Sequence, residues 1–191
     1  MSKIFDTFGV PCAVLPVIHI ADVAQAVEEA RLAFATGAHG VFLIHHGGDS
    51  LLTVASADEV YFALRDDGHE RPWIGVNLLG ELPTDAFQFL HRERAYPVRG
   101  VWCDEASDGV VKHQHSDGVW ASLYFASVAF KHQPQPADLA RAAYAEVAQG
   151  ATTEPGVEDV WRLAGQHQVV AGRGLLVARH HPAQLAQVRQ H

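Results

Sequence analysis

Short apolar runs alternate along this chain with longer stretches of helical periodicity. Cys12–Ile20 (CAVLPVIHI) is a near-continuous apolar run, the pattern of a strand buried on both faces. Asp22 then offers a helix N-cap, with Gln25 three residues on in capping-box spacing. Val23, Ala26, Val27, Ala30 and Phe34 share one helical face, and Gly37 ends it. Gly40–His46 reads as the second strand. Ser56 opens another capping-box pattern (SADE) and predicts a helix that turns Val60, Tyr61 and Leu64 inward. Pro72 closes that region and Trp73–Leu79 forms a third strand. Thr84–Arg94 is a third helix, with Phe87 and Leu90 on one side, and Val98–Asp104 a fourth strand.

Beyond Asp104 the pattern loosens. Glu105–Gly118 is polar and contains Asp108-Gly109 and Asp117-Gly118, which fit a loop, a distorted short helix or a hairpin. Trp120–Lys131 supplies a fifth strand, in its later half. Pro136 sits at the first position of a helix that runs to Gly150, and Ala151–Glu154 is a weak sixth strand. Two readings compete for the next segment. Val157, Val160, Trp161, Ala164 and Ala171 keep helical spacing before a seventh strand, Leu175–Arg179; alternatively QVVAG-RG-LLVAR forms a hairpin about Arg173-Gly174. The helix is preferred. Pro182 opens a last short helix, Ala183–Gln190.

Such alternation implies an α/β fold with a parallel sheet and right-handed crossovers. A doubly wound open sheet and a TIM-type barrel both fit, and in both, ligands bind at the carboxyl ends of the strands. Those ends carry His19, then His45-His46, Asn77, Asp104-Glu105, Lys131-His132, Thr152-Thr153-Glu154 and Arg179-His180-His181. The opposite ends, such as Val14, Gly40, Trp73 and Val101, are bland. Contributions from every strand, the first and last included, favour a barrel mouth over a crevice at one switch point.

Length sharpens that reading. A full (β/α)₈ barrel usually takes about 200 to 250 residues, and this chain has 191 with no eighth strand after its last helix. The expectation is a single domain, residues 1–191, with a TIM-barrel-like fold shortened to about seven parallel strands and closed incompletely or with distortion. A second copy of the chain, as a homo-oligomer, would cover the open sheet edge, and Met1–Val10 is another candidate cover. A net charge of -8, from 14 Lys+Arg against 22 Asp+Glu, argues against nucleic acid or an anionic membrane as partner. No apolar run approaches the ~20 residues of a membrane span, and the start does not read as a signal peptide. Cys12 and Cys103, both in apolar runs without a CxxC pair, read as buried free thiols of a cytoplasmic protein.

The strand-end residues suggest roles, each with a structural alternative. Asp104 after an apolar strand is a candidate general acid or base. Lys131 ends a β run, where a desolvated amine acts as nucleophile or stabiliser, or else pairs with Asp104 to close the mouth. His19 is a catalytic candidate, or a satisfied core histidine. His45 and His46 alternate in direction in a strand, so at most one faces the mouth unless the chain turns there. With Asp49, Asn77, Glu154 and Arg179, His45 completes a set suited to binding a small-molecule ligand. His19, His46 and Asp104 are the residues that would take a divalent metal. No HExxH, CxxC, P-loop, GxGxxG or GxSxG motif occurs. His113-Gln114-His115 has metal-ligand spacing but lies off the strand pattern.

Several segments, GAHGVFLIHHGGDS, WIGVNLLG and VAFKHQPQPADL, resemble in order and spacing stretches of the BtpA family, TIM-barrel-like proteins that include a photosystem I biogenesis factor and sugar-operon members. VLPVIHI resembles that family's first strand, with its Ile/Val-His pair. GLLVARHHPAQL resembles its late strand and helix, with Arg179-His180 in place of a Ser-Gly turn. His46-Gly47-Gly48-Asp49 stands where the family tends to an Asn-Phe-Gly-Asp-like turn. The likeness covers most of residues 12–185, implies a barrel, and puts weight on His19, Asp49, Asn77 and Lys131. The expected function is an enzyme acting on a small polar or phosphorylated metabolite, with isomerisation, carbon–carbon cleavage and hydrolysis all open. The alternative is a non-catalytic barrel, an assembly factor or ligand-binding protein.

Overall fold

The structure, a computed structural model, describes residues 3–10, 13–104, 123–126 and 175–176. Its elements are α1 (Lys3–Phe8), β1 (Ala13–Val14), β2 (Val17–His19), α2 (Val23–Ala35), β3 (Val41–Ile44), α3 (Ser50–Asp66), β4 (Ile74–Asn77), α4 (Pro83–Arg92), β5 (Val98–Cys103), β6 (Leu123–Ala126) and β7 (Leu175–Leu176). The fold is α/β. Five parallel strands pair in chain order, β2-β3-β4-β5-β6, and β1 pairs in parallel with β7. No reversal of order occurs among these strands, so same-handed crossovers bring the helices to one face.

The two faces of the sheet are filled by different chemistry. Strand register places Ile18, Leu43, Val76, Val101 and Tyr124 in one row, all fully buried on the helix side. Ala26, Ala30 and Ala33 of α2 and Val54, Ala57, Val60 and Leu64 of α3 cover this face, the small alanines letting α2 approach closely. The other face is aromatic. One row runs Val17, Phe42, Gly75, Gly100, Leu123, and the next, toward the carboxyl ends, His19, Ile44, Asn77, Trp102, Phe125. Phe42 meets Trp73, Trp102 and Phe125 edge to face, with centroids 5.2 to 6.0 Å apart. The Trp73 indole lies across the glycines: a Cβ on Gly100 would stand 2.5 Å from its Cζ2, and one on Gly75 would collide with the Phe42 ring. Only hydrogen at these two positions lets the aromatic layer rest on the backbone.

Several expectations are redrawn. The run Cys12–Ile20 is two short strands rather than one, because Pro16 has no N–H for a ladder; its carbonyl accepts from Phe42 N at 2.8 Å. The Asp22 cap holds, Gln25 N donating to its carboxylate at 2.8 Å, and Gln25 Oε1 accepts in return from Ala21 N. The next helix begins at Ser50, not at Ser56. Asp49 caps it by accepting from Leu52 N at 2.8 Å, and Ser56 is buried within it. Within Trp120–Lys131 the described strand is Leu123–Ala126, and the rest of that run's later half lies outside the described residues. Residues 3–8, given no element by pattern, form α1, whose Ile4 is buried and whose Phe8 packs edge to face on Trp73 at 5.2 Å. Cys103 is a buried free thiol, as expected. The sixth strand, the helices after Pro136 and Pro182, the helix-or-hairpin segment before Leu175, and Cys12 lie outside the described residues. Among the described residues no helix is long and apolar enough to cross a membrane.

Candidate functional site

The carboxyl ends of β2 to β5 bring together four of the expected polar residues as two pairs. At one side, His19 Nδ1 and His46 Nε2 lie 2.5 Å apart, and the two rings stack with centroids 4.6 Å apart. One nitrogen of such a contact must carry the proton and the other accept it. At the other side, Asn77 Nδ2 donates to Asp104 Oδ1 at 2.9 Å. His19 and Asn77 share one register row, and His46 and Asp104 each stand two residues beyond that row on the same face. Two strand steps separate His19 from Asn77, about 10 Å of backbone at the usual strand spacing.

Asn77 is the unusual member. It is 1% exposed. Its amide nitrogen holds Asp104, while its Oδ1 is buried without a hydrogen-bond partner among the described residues. The orientation is fixed by chemistry, since the flipped amide would set oxygen against carboxylate. Beneath the pair, burial pushes the Cys103 thiol up, with the charges of Asp104 and Glu81 adding. That thiol therefore stays protonated and is no nucleophile.

Other expected binding residues have local work. His45 and His46 lie past the end of β3, in a turn, and His45 Nδ1 accepts from Asp49 N at 3.1 Å. Its ring sits over Gly47, where a Cβ would stand 2.7 Å from Cε1. Gly48 (φ +71°) completes the turn, donating to the His45 carbonyl at 3.0 Å. Asp49 spends one carboxylate oxygen as the cap of α3, and its carbonyl accepts from Thr53 Oγ1 at 2.8 Å. These two residues build the β3–α3 corner that carries His46.

Among the described residues no three His, Cys, Asp or Glu groups come together as a metal-holding set. The metal triad expected from sequence is thus split: the histidines pair with each other and Asp104 is held by Asn77. Lys131, Glu154 and Arg179 lie outside the described residues.

Pattern reasoning missed the other end of the sheet. A cavity of about 490 Å³ opens there, lined by Thr7, Phe8, His39, Arg71, Trp73, Arg99 and Leu123. The available signal is a pair of arginines, Arg71 and Arg99, each at the start of an apolar strand.

No family model matches the chain, and no curated protein or solved structure matches it either.

Proposed function

We propose that the carboxyl end of the sheet is an acid–base site for a small polar or phosphorylated metabolite, set in a TIM-type barrel. The barrel reading is supported by the chain-order pairing of five parallel strands and by the contact of β1 with β7, the first and last described strands. The resemblance to BtpA-family segments points the same way. The observation that carries the functional reading is Asn77. A buried amide oxygen left unpaired costs about 1–3 kcal/mol, and a residue kept only for packing would be apolar. Asn77 instead holds Asp104 by one half of its amide and keeps the other half for a ligand donor.

In this reading Asp104 is the general acid or base and Asn77 its positioning residue. The His19–His46 pair moves a proton at the neighbouring strand end. Lys131, from beyond the described residues, supplies the nucleophile or the cation that stabilises developing negative charge. Borohydride trapping with aldehyde substrates tests the nucleophile directly, with Lys131→Met abolishing the adduct. The main test is a turnover screen over sugar phosphates, hydroxy acids and lactones. Asp104→Asn and Asn77→Ala should each lower any activity found by 100-fold or more. Activity that survives both substitutions would move the chemistry elsewhere. A screen without turnover, in which Asp104→Asn leaves ligand binding unchanged, would favour the non-catalytic barrel.

A further inference from the structure

The cavity at the amino-terminal end of the sheet has a composition unlike the rest of the molecule. The chain carries a net charge of -8, yet the described residues lining this cavity include Arg71, Arg99 and His39 and no carboxylate. Among the described residues neither arginine takes part in an ion pair; the pairs formed are those of Arg31 and Arg92. Two guanidinium groups beside one concave surface give it a local positive charge that favours an anion.

Arg99 is there through a specific backbone device. Ile74 pairs with Val98 and Gly75 with Gly100, which leaves Arg99 as an extra residue in β5 with no partner in β4. It is the only exposed position of a strand that is otherwise buried. Such a bulge re-aims a side chain, and here it brings Arg99 to the cavity wall on the side of Trp73 and Leu123. A regular strand of the same composition would not do so.

The remaining wall is equally suited to a ligand. His39 Nδ1 accepts from Val14 N at 3.1 Å, which leaves Nε2 as the ring's donor. Trp73, 7% exposed, contributes its indole face and has a buried Nε1–H without an acceptor among the described residues. Phe8 of α1, packed edge to face on Trp73, extends this aromatic wall. The two arginines match the near-dianionic charge of a phosphate monoester. The aromatic wall and the volume, within the usual range for small-molecule pockets, leave room for a planar ring beyond the phosphate.

We propose that this cavity is a second ligand site, taking a phosphate monoester with a planar ring through Arg71 and Arg99. It stands independently of the acid–base reading, because its residues lie at the opposite strand ends. Calorimetric titration of the full chain with adenosine monophosphate, adenosine and inorganic phosphate tests it. The monophosphate should bind saturably, and adenosine at least 10-fold more weakly. Arg71→Gln and Arg99→Gln, exposed positions that leave the thermal midpoint unchanged, should each weaken the monophosphate 10-fold or more. Asp104→Asn should leave it alone. Equal affinity for adenosine, retention of affinity in both arginine variants, or no saturable binding of either phosphate probe would overturn the proposal. Loss of binding in Asp104→Asn with no change in the arginine variants would assign the ligand to the carboxyl end instead.

Discussion

The two ends of the sheet solve the problem of polar groups on an aromatic layer in opposite ways. At the carboxyl end, His19 meets His46 and Asn77 meets Asp104. At the amino end, Arg71 and Arg99 border a cavity whose described wall holds no carboxylate. Between them lie Phe42, Trp73, Trp102 and Phe125. The contrast separates two kinds of design. Hydrogen-bonded polar pairs hold fixed geometry, as proton transfer demands, whereas unopposed cations around a void leave their charge available to a ligand.

The layer between the ends is where the comparison breaks most violently. Phe42 touches three other aromatic rings, and Phe42→Ala should destabilise the protein by about 3–5 kcal/mol in chemical denaturation, disordering both ends together. A loss confined to one end would mean that the ends are supported separately. Gly75→Ala comes next. Its Cβ would meet the Phe42 ring and approach Trp73 Cη2 at 2.9 Å, for an expected loss of about 1–3 kcal/mol. The amino-end cavity should be disturbed first, because Trp73 forms its wall.

A smaller effect sharpens the account of the carboxyl end. Asp49→Ala removes the cap of α3 and should cost about 1 kcal/mol, while Asp49→Asn or Asp49→Ser should restore most of it. Rescue of stability by serine identifies a cap; a ligand-binding carboxylate would show instead as lost affinity at unchanged stability. The smallest effect lies away from both ends and serves as a reference. Burial, with the charge of Glu59 adding, raises the Asp58 carboxyl above its ordinary value. A raised folded-state value gives stability that is complete below the ordinary carboxylate range and lost as pH rises through the raised value. Asp58→Asn should therefore raise the thermal midpoint at pH 7 slightly, because solvent screens a carboxylate this exposed. The gain should vanish as pH falls below the ordinary carboxylate range.

How far this was readable from sequence varies by feature. Parallel α/β architecture follows from strands such as Gly40–His46 and Trp73–Leu79, whose apolar continuity reports burial on both faces. The Asp22 cap was legible because capping is local and its donor lies three residues away. Asp49 reads from sequence as a binding residue because the same carboxylate chemistry serves a cap and a binding site, and only the start of α3 at Ser50 reveals the cap. The Asn77–Asp104 bond was not legible, since it joins residues 27 apart across a register that the sequence does not state. Arg99 was hidden for a related reason. A bulge is a mismatch between two strands, visible only when both are paired. The short α1 carries too few residues to declare a period, and its Phe8 finds its place only once Trp73 is laid across the glycines.

The central claim, that the hydrogen-bonded pairs at the carboxyl end are the seat of the chemistry, is tested most directly by nuclear magnetic resonance. The side-chain amide of Asn77 and the rings of His19 and His46 would be followed through titration with sugar phosphates, hydroxy acids and lactones. The account predicts that at least one compound shifts the Asn77 amide and both imidazoles saturably, and that Asp104→Asn abolishes the response. Compounds that move only His39, Trp73 and Arg99, with the Asn77 amide fixed across the whole set, would contradict it.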